Sequence, residues 1–278
     1  MRTGSPWRAV EARLYAGEIL VFRGLAAVAS LRDYADAQIR EAFPGGPPEK
    51  VTDRLPRERF VAEMAALRQR WGADEEAARL WRSALDACGC DLTRTYWDRH
   101  RLRVNPPGRT HHSRRILNLP AHRDSWGSMA PQQINWWAPI YPLSEGRTLL
   151  IYPDAWNRPV ANDSAQWDLL ELKRLRAAGG PVDYPLLPSA TDPAEWGAPL
   201  ALTPEPGDIV AFSAAHLHAS APNGTGLSRF NVEGRTIDAD AYAAGRGAPD
   251  PDGAAPRRAL HWFSHCLDGR PLGPEPLP

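Results

Sequence analysis

"GDIVAFSAAHLHASAPNGTGLSRFNVEGRTID", residues 207–238, places two runs of branched and aromatic residues on either side of a "PNGTG" turn, with two histidines closing the first run. Such runs, bounded by Gly, Pro and Asn, read as β-strands. The turn would return the chain as a hairpin. Upstream the same character recurs in "RLRVNPP" (101–107), "RRILNLP" (114–120), "QQINWWAPIYP" (132–142) and "RTLLIYP" (147–153). Before Cys90 the pattern is different. "PWRAVEARLYAG", "LRDYADAQIREAF", "PRERFVAEMAALRQRWG" and "ADEEAARLWRSALDACG" space their apolar residues three to four apart, as helices do. Only "GEILVFRGL" (17–25) reads there as a short strand. Helices first and antiparallel strands second predict an α+β fold with a β-sandwich or barrel as its working unit.

The region 162–206 interrupts the strands with one predicted helix, "SAQWDLLELKRLRAA", and a proline-bearing loop. The expected organisation is a single domain over 1–278, with helical support at 1–90, a β core at 91–240 carrying that insertion, and a C-terminal extension at 241–278.

The chain has 278 residues, 43% of them hydrophobic, which is enough for a full core. Its 33 basic and 33 acidic residues balance, so no net field steers it to nucleic acid or an anionic membrane. A small, roughly neutral partner fits better. No apolar run approaches the roughly 18 residues of a membrane span, and the N-terminus lacks a secretory apolar core, so a cytoplasmic protein is expected. Cys88, Cys90 and Cys266 read as reduced thiols, and no second pair at ligand spacing supports zinc.

In "PAHRDSWGSM" (120–129), strand alternation would send His122 and Asp124 to one side and Arg123 to the other. A third ligand would come from His216 or His218. Two imidazoles and a carboxylate, leaving part of an octahedron open, suit non-haem Fe(II). Arg229 follows the "PNGTG" turn, and its guanidinium matches a carboxylate with two parallel hydrogen bonds. Gln133, Asn135, Trp137 and Tyr141 share parity on their strand. Polar groups on an inward face need partners, which marks Gln133 and Asn135 as candidates for co-substrate or substrate contact.

The stretch 117–235 resembles the phytanoyl-CoA dioxygenase-like branch of the Fe(II)/2-oxoglutarate-dependent oxygenases. The resemblance rests on His122-Arg123-Asp124, the tryptophan-bearing strand "QINWWAPIYP", Gly207-Asp208, Phe212 ahead of His218, and Arg229. It implies a double-stranded β-helix (jelly-roll, cupin-like) core with N-terminal and inserted helices packed around it. It also implies His122, Asp124 and His218 as iron ligands, Arg229 as the anchor of 2-oxoglutarate, and Trp137 beside that co-substrate. The reaction implied is hydroxylation of a small organic molecule by O2, with 2-oxoglutarate decarboxylated to succinate. An Asp at 124 favours hydroxylation over halogenation, because its carboxylate occupies the place a halide would need. "PDAW" (153–156) and the insertion depart from the family's pattern, which leaves the substrate open. Two rivals remain: a non-catalytic small-molecule-binding jelly roll, and a metal hydrolase on the same three ligands.

Overall fold

The computed structural model describes residues 6–113, 116, 118–178, 184–192 and 196–274. Helices come first: α1 (Pro6–Tyr15), α2 (Ala26–Ala42), α3 (Arg57–Ala73) and α4 (Glu75–Ala87), with β1 (Leu20–Phe22) between α1 and α2. Then follow β2 (Thr95–Trp97), β3 (Arg101–Asn105), α5 (Asp124–Ser128), β4 (Ile134–Pro139), β5 (Leu149–Ile151), α6 (Leu169–Ala177) and β6 (Leu200–Leu202). The chain continues through β7 (Ile209–Ser213), β8 (His218–Ser220), β9 (Arg229–Asp238), α7 (Ala239–Ala243) and β10 (Ser264–His265).

The α-helices of the N-terminal region follow from their spacing. In α3 the buried residues are Phe60, Met64, Leu67 and Trp71, one stripe at intervals of three and four. In α4, Asp74 caps the N-terminus by accepting from the backbone N–H groups of Glu76 and Ala77. The stripe Ala77, Leu80, Trp81, Ala84 and Leu85 is buried behind it.

Two antiparallel sheets carry the rest. The larger runs β1-β7-β4-β9-β2-β10, with β3 also paired to β9, and the smaller runs β6-β5-β8. Strand alternation gives the large sheet two unlike faces. Ile134, Trp136 and Ala138 of β4, Ile209 and Ala211 of β7, Phe230 and Val232 of β9, and Leu102 and Val104 of β3 join the helices in one apolar core. On β9 the absence of a side chain at Gly234 lets α4 dock, since a Cβ there would lie 2.8 Å from the Trp81 ring. Trp137, Val210 and Phe212 point the other way, packing with Leu149, Ile151 and Leu202 of the small sheet. The result is the expected jelly roll buttressed by helices.

Four expectations need correction. The run 207–220 is two strands in different sheets, because residues 214–217 turn the chain out of β7 before β8. The segment after His218 is therefore a crossing between sheets and not a hairpin. Asn223 secures it by donating to the carbonyls of Leu227 and Asn105. His122-Arg123-Asp124 is not a strand either: His122 makes an isolated β-bridge and Asp124 opens α5. Tyr141 lies past the end of β4, packed in the core under the helices with its hydroxyl donating to Asp36 of α2, so it does not share the face of Trp137. Arg114, Arg115 and Leu117 of the run "RRILNLP", and residues 179–183 and 193–195 of the insertion, lie outside the described residues.

Candidate active site

His122 and His218 are brought together by the backbone. Each accepts the other's N–H at 2.9 Å, and this reciprocal bridge sets the imidazoles side by side with centroids 4.2 Å apart. The first turn of α5 then swings Asp124 to the same side. The three residues offer one ligand atom each, all within 4.8 Å of one another.

The tautomers suit a metal. His122 Nδ1 lies 2.7 Å from the Pro120 carbonyl and His218 Nδ1 lies 3.0 Å from that of His216, so each Nδ1–H donates outward. Each Nε2 is left with its lone pair toward Asp124, at 3.8 and 3.9 Å. Ligating imidazoles are commonly oriented by such a bond on the far nitrogen. Burial, with His218 adjacent, pushes His122 down to about 3, so it stays neutral and ready to ligate. For Asp124, burial alone would raise the carboxyl, but Arg235, with a hydrogen bond from Asn135, holds it below the usual range. Asp124 keeps 22% of its side chain exposed against 2% and 7% for the histidines, so the centre opens on the carboxylate side. The set fits a divalent transition ion.

Around Asp124 the inner face of the large sheet is polar. Gln133 donates to Asn135 at 2.8 Å and Asn135 donates to Asp124 at 2.7 Å. These two, expected to meet co-substrate or substrate, are thus bonded first to each other and to the carboxylate. Arg235 Nη1 lies 3.6 Å from Asp124, while its Nε pairs with the buried Asp98. In the sequence, the strand parity of Arg235 with Arg229 predicts contact with a carboxylate of substrate or co-substrate, or a salt bridge with Glu233 or Asp238. The partner of Arg235 is Asp98, at the end of β2, whose neighbourhood only the β2–β9 pairing reveals.

Arg229 lies on the same face of β9 as Arg235. It is buried over the Trp137 ring at 5.7 Å, and its Nε and Nη1 have no protein acceptor. Burial lowers it to about 10, still cationic at neutral pH. A buried guanidinium with two undirected donors fits an anion of planar, two-oxygen geometry.

His216 is set apart. Its two nitrogens lie against the carbonyls of Ser213 and Gly17, and its ring packs on Trp156 at 4.4 Å. Trp126 is fully buried and donates to Asp252 at 2.7 Å. Sequence reasoning also missed Arg103, which pairs with Glu233 on the inner face. The alternation of basic residues in "RLRVN" was the available signal, but its meaning depended on knowing that β3 borders β9.

No protein-family model and no curated protein sequence matches the chain. Among solved structures it is similar to EvdO2 from Micromonospora carbonacea var. aurantiaca complexed with 2-oxoglutarate, at 14% identity and TM-score 0.48, covering 82% of this chain and 89% of that one. It is also similar to EctD from S. alaskensis with bound Fe, at 15% identity and TM-score 0.42, covering 93% and 90%. A third is SnoK, a non-heme alpha ketoglutarate dependent carbocyclase from nogalamycin biosynthesis, at 13% identity and TM-score 0.41, covering 91% and 94%. Likeness at this level bears no functional weight.

Proposed function

We propose that the protein is a non-haem Fe(II)- and 2-oxoglutarate-dependent dioxygenase that hydroxylates a small organic molecule. The observation that carries this is the pairing of two features on one interior surface. One is the His122–Asp124–His218 set with both Nε2 atoms aimed inward; the other is Arg229, buried with two unengaged donors. A zinc hydrolase on the same ligands gives Arg229 no carboxylate to hold, and a passive binding module gives no reason to orient both imidazoles.

In this reading His122, Asp124 and His218 hold the iron. When bound, ferrous iron with 2-oxoglutarate supplies oxidation by O2, releasing succinate and CO2. The chain's own residues do the rest. Arg229 holds the distal carboxylate of the co-substrate against Trp137, and Phe212 packs beside His218 at 5.3 Å, keeping water from that side. Asn135 and Arg235 fix the Asp124 carboxylate and keep it ionised, so that it stays a ligand. The whole chain is proposed as one domain. Three free, buried cysteines accord with a reducing cytoplasm, and among the described residues no helix is long and apolar enough to cross a membrane.

The test is oxygen uptake by the purified protein. Uptake that requires both Fe(II) and 2-oxoglutarate, with succinate formed, is the expected result. Turnover of a substrate without O2 would overturn the reading.

A further inference from the structure

Arg123 lies between two of the three candidate ligands and points away from them into the protein, fully buried. Its guanidinium donates to the carbonyls of Ala155 at 2.7 Å, Arg158 at 2.8 Å, and Ala215. Ala215 belongs to the turn that delivers His218, so one side chain ties the His122–Asp124 turn to the approach of the third ligand. A buried cation is costly without a counter-charge. Among the described residues the carboxylate at ion-pair distance is Asp252, at 3.3 Å from Nε and with its side chain only 5% exposed.

Asp252 belongs to the C-terminal extension, far from the centre in sequence. Its other contacts converge on the same place: one oxygen accepts from Trp126 Nε1 within α5 at 2.7 Å, the other from the Val160 N–H at 2.8 Å. The segment around it runs behind α5, with Ala248 N–H on Pro131 and Ala259 N–H on Ser128, both at 2.9 Å. It ends with Trp262 stacked on Arg235 at 5.2 Å, the arginine that faces Asp124.

We propose that Asp252, acting through Arg123, is a positioning residue for the metal centre, so that the C-terminal extension completes a site whose ligands all lie elsewhere. The inference rests on the metal-site reading above. Neutralising Asp252 leaves Arg123 pulling on three carbonyls without its counter-charge, and the two ligand-bearing segments lose their shared reference point.

The experiment compares Asp252→Asn, which keeps the shape and removes the charge, with Arg257→Ala. The latter breaks the bridge from the same segment to Asp168 at 3.2 Å and leaves Arg123 untouched. Co(II) is titrated anaerobically into each full-length apoprotein, reading affinity and the ligand-field spectrum alongside the melting temperature. Asp252→Asn is expected to weaken Co(II) binding about 10- to 100-fold and to alter the spectrum, whereas Arg257→Ala keeps both even if it melts lower. Wild-type-like binding by Asp252→Asn overturns the inference, as does a loss in both variants that tracks melting temperature alone. If Asp252→Asn does not fold, Trp126→Phe decides: removing the Nε1 donor is expected to weaken Co(II) binding several-fold, and unchanged binding overturns the proposal. Failure of the wild type to bind Co(II) or Fe(II) overturns the metal reading and this inference together, whereas tight wild-type binding unaffected in the variants overturns this inference alone.

Discussion

Strand β9 presents two chemistries at alternate residues. Its even positions Phe230 and Val232 are sealed under the helices, and Gly234 yields its space to Trp81. Its odd positions Arg229, Asn231, Glu233 and Arg235 face the interior between the sheets, where buried polar atoms of Arg229 and Asn231 lack protein partners. Native interiors rarely tolerate unsatisfied groups, and those that persist call for an explanation. One face has been optimised for packing. The other carries polar side chains, some paired, as Arg235 is with Asp98, and some without a protein acceptor, as at Arg229.

The largest effect that sharpens this contrast is expected from the packed face. Trp81→Ala removes a fully buried indole and should cost about 3–5 kcal/mol in urea unfolding. The folded fraction should bind 2-oxoglutarate as before; a matching loss of affinity would show the faces are not separable. Arg229→Ala should do the reverse. It should weaken 2-oxoglutarate binding by roughly 2–5 kcal/mol in calorimetry, while apoprotein stability holds or rises because an unpaired buried cation is gone. A large fall in apoprotein stability would make Arg229 a structural residue.

At the margin of the packed side, Glu11 is a buried carboxyl that burial and the nearby Asp238 raise to about 7. Because its folded value lies above the ordinary 4.5, the unfolded chain gives up the proton first as pH rises. Stability associated with Glu11 is therefore full below about pH 4.5 and is lost progressively up to about pH 7. Glu11→Gln should be more stable than wild type by about 2–3 kcal/mol at pH 8 and equal to it near pH 4; a pH-independent difference would contradict this. The smallest effect is expected at the polar face's support. Asn135→Ala removes the donor to Asp124 and should weaken Fe(II) binding about tenfold, read by anaerobic titration, with an unchanged constant counting against the relay.

Much of this contrast was legible in the chain because both faces write a periodic pattern. The helical stripes Phe60–Met64–Leu67–Trp71 and Ala77–Leu80–Trp81–Ala84 are local, and local spacing reports them. The polar alternation in "QQINWWAP" marked Gln133 and Asn135, and His122, Asp124, His218 and Arg229 stood out by residue type and order. What stayed hidden depends on which strand lies beside which. Asp98 acquires meaning only when β2 pairs with β9, and Asp252 only when the C-terminal extension folds behind α5. The division of 207–220 between two sheets is equally invisible, because no Gly or Pro between Ile209 and Ser220 signals that residues 214–217 turn. Short β6 and β10 carry too few residues for any period to register.

The most direct test of the account is the visible spectrum of the protein mixed anaerobically with Fe(II) and 2-oxoglutarate. The wild type should develop the weak charge-transfer band of the iron–2-oxoglutarate complex, and Asp124→Ala should lose it while remaining folded. No band in a well-folded wild type, or an undiminished band in Asp124→Ala, would contradict the assignment of His122, Asp124 and His218 as the iron site.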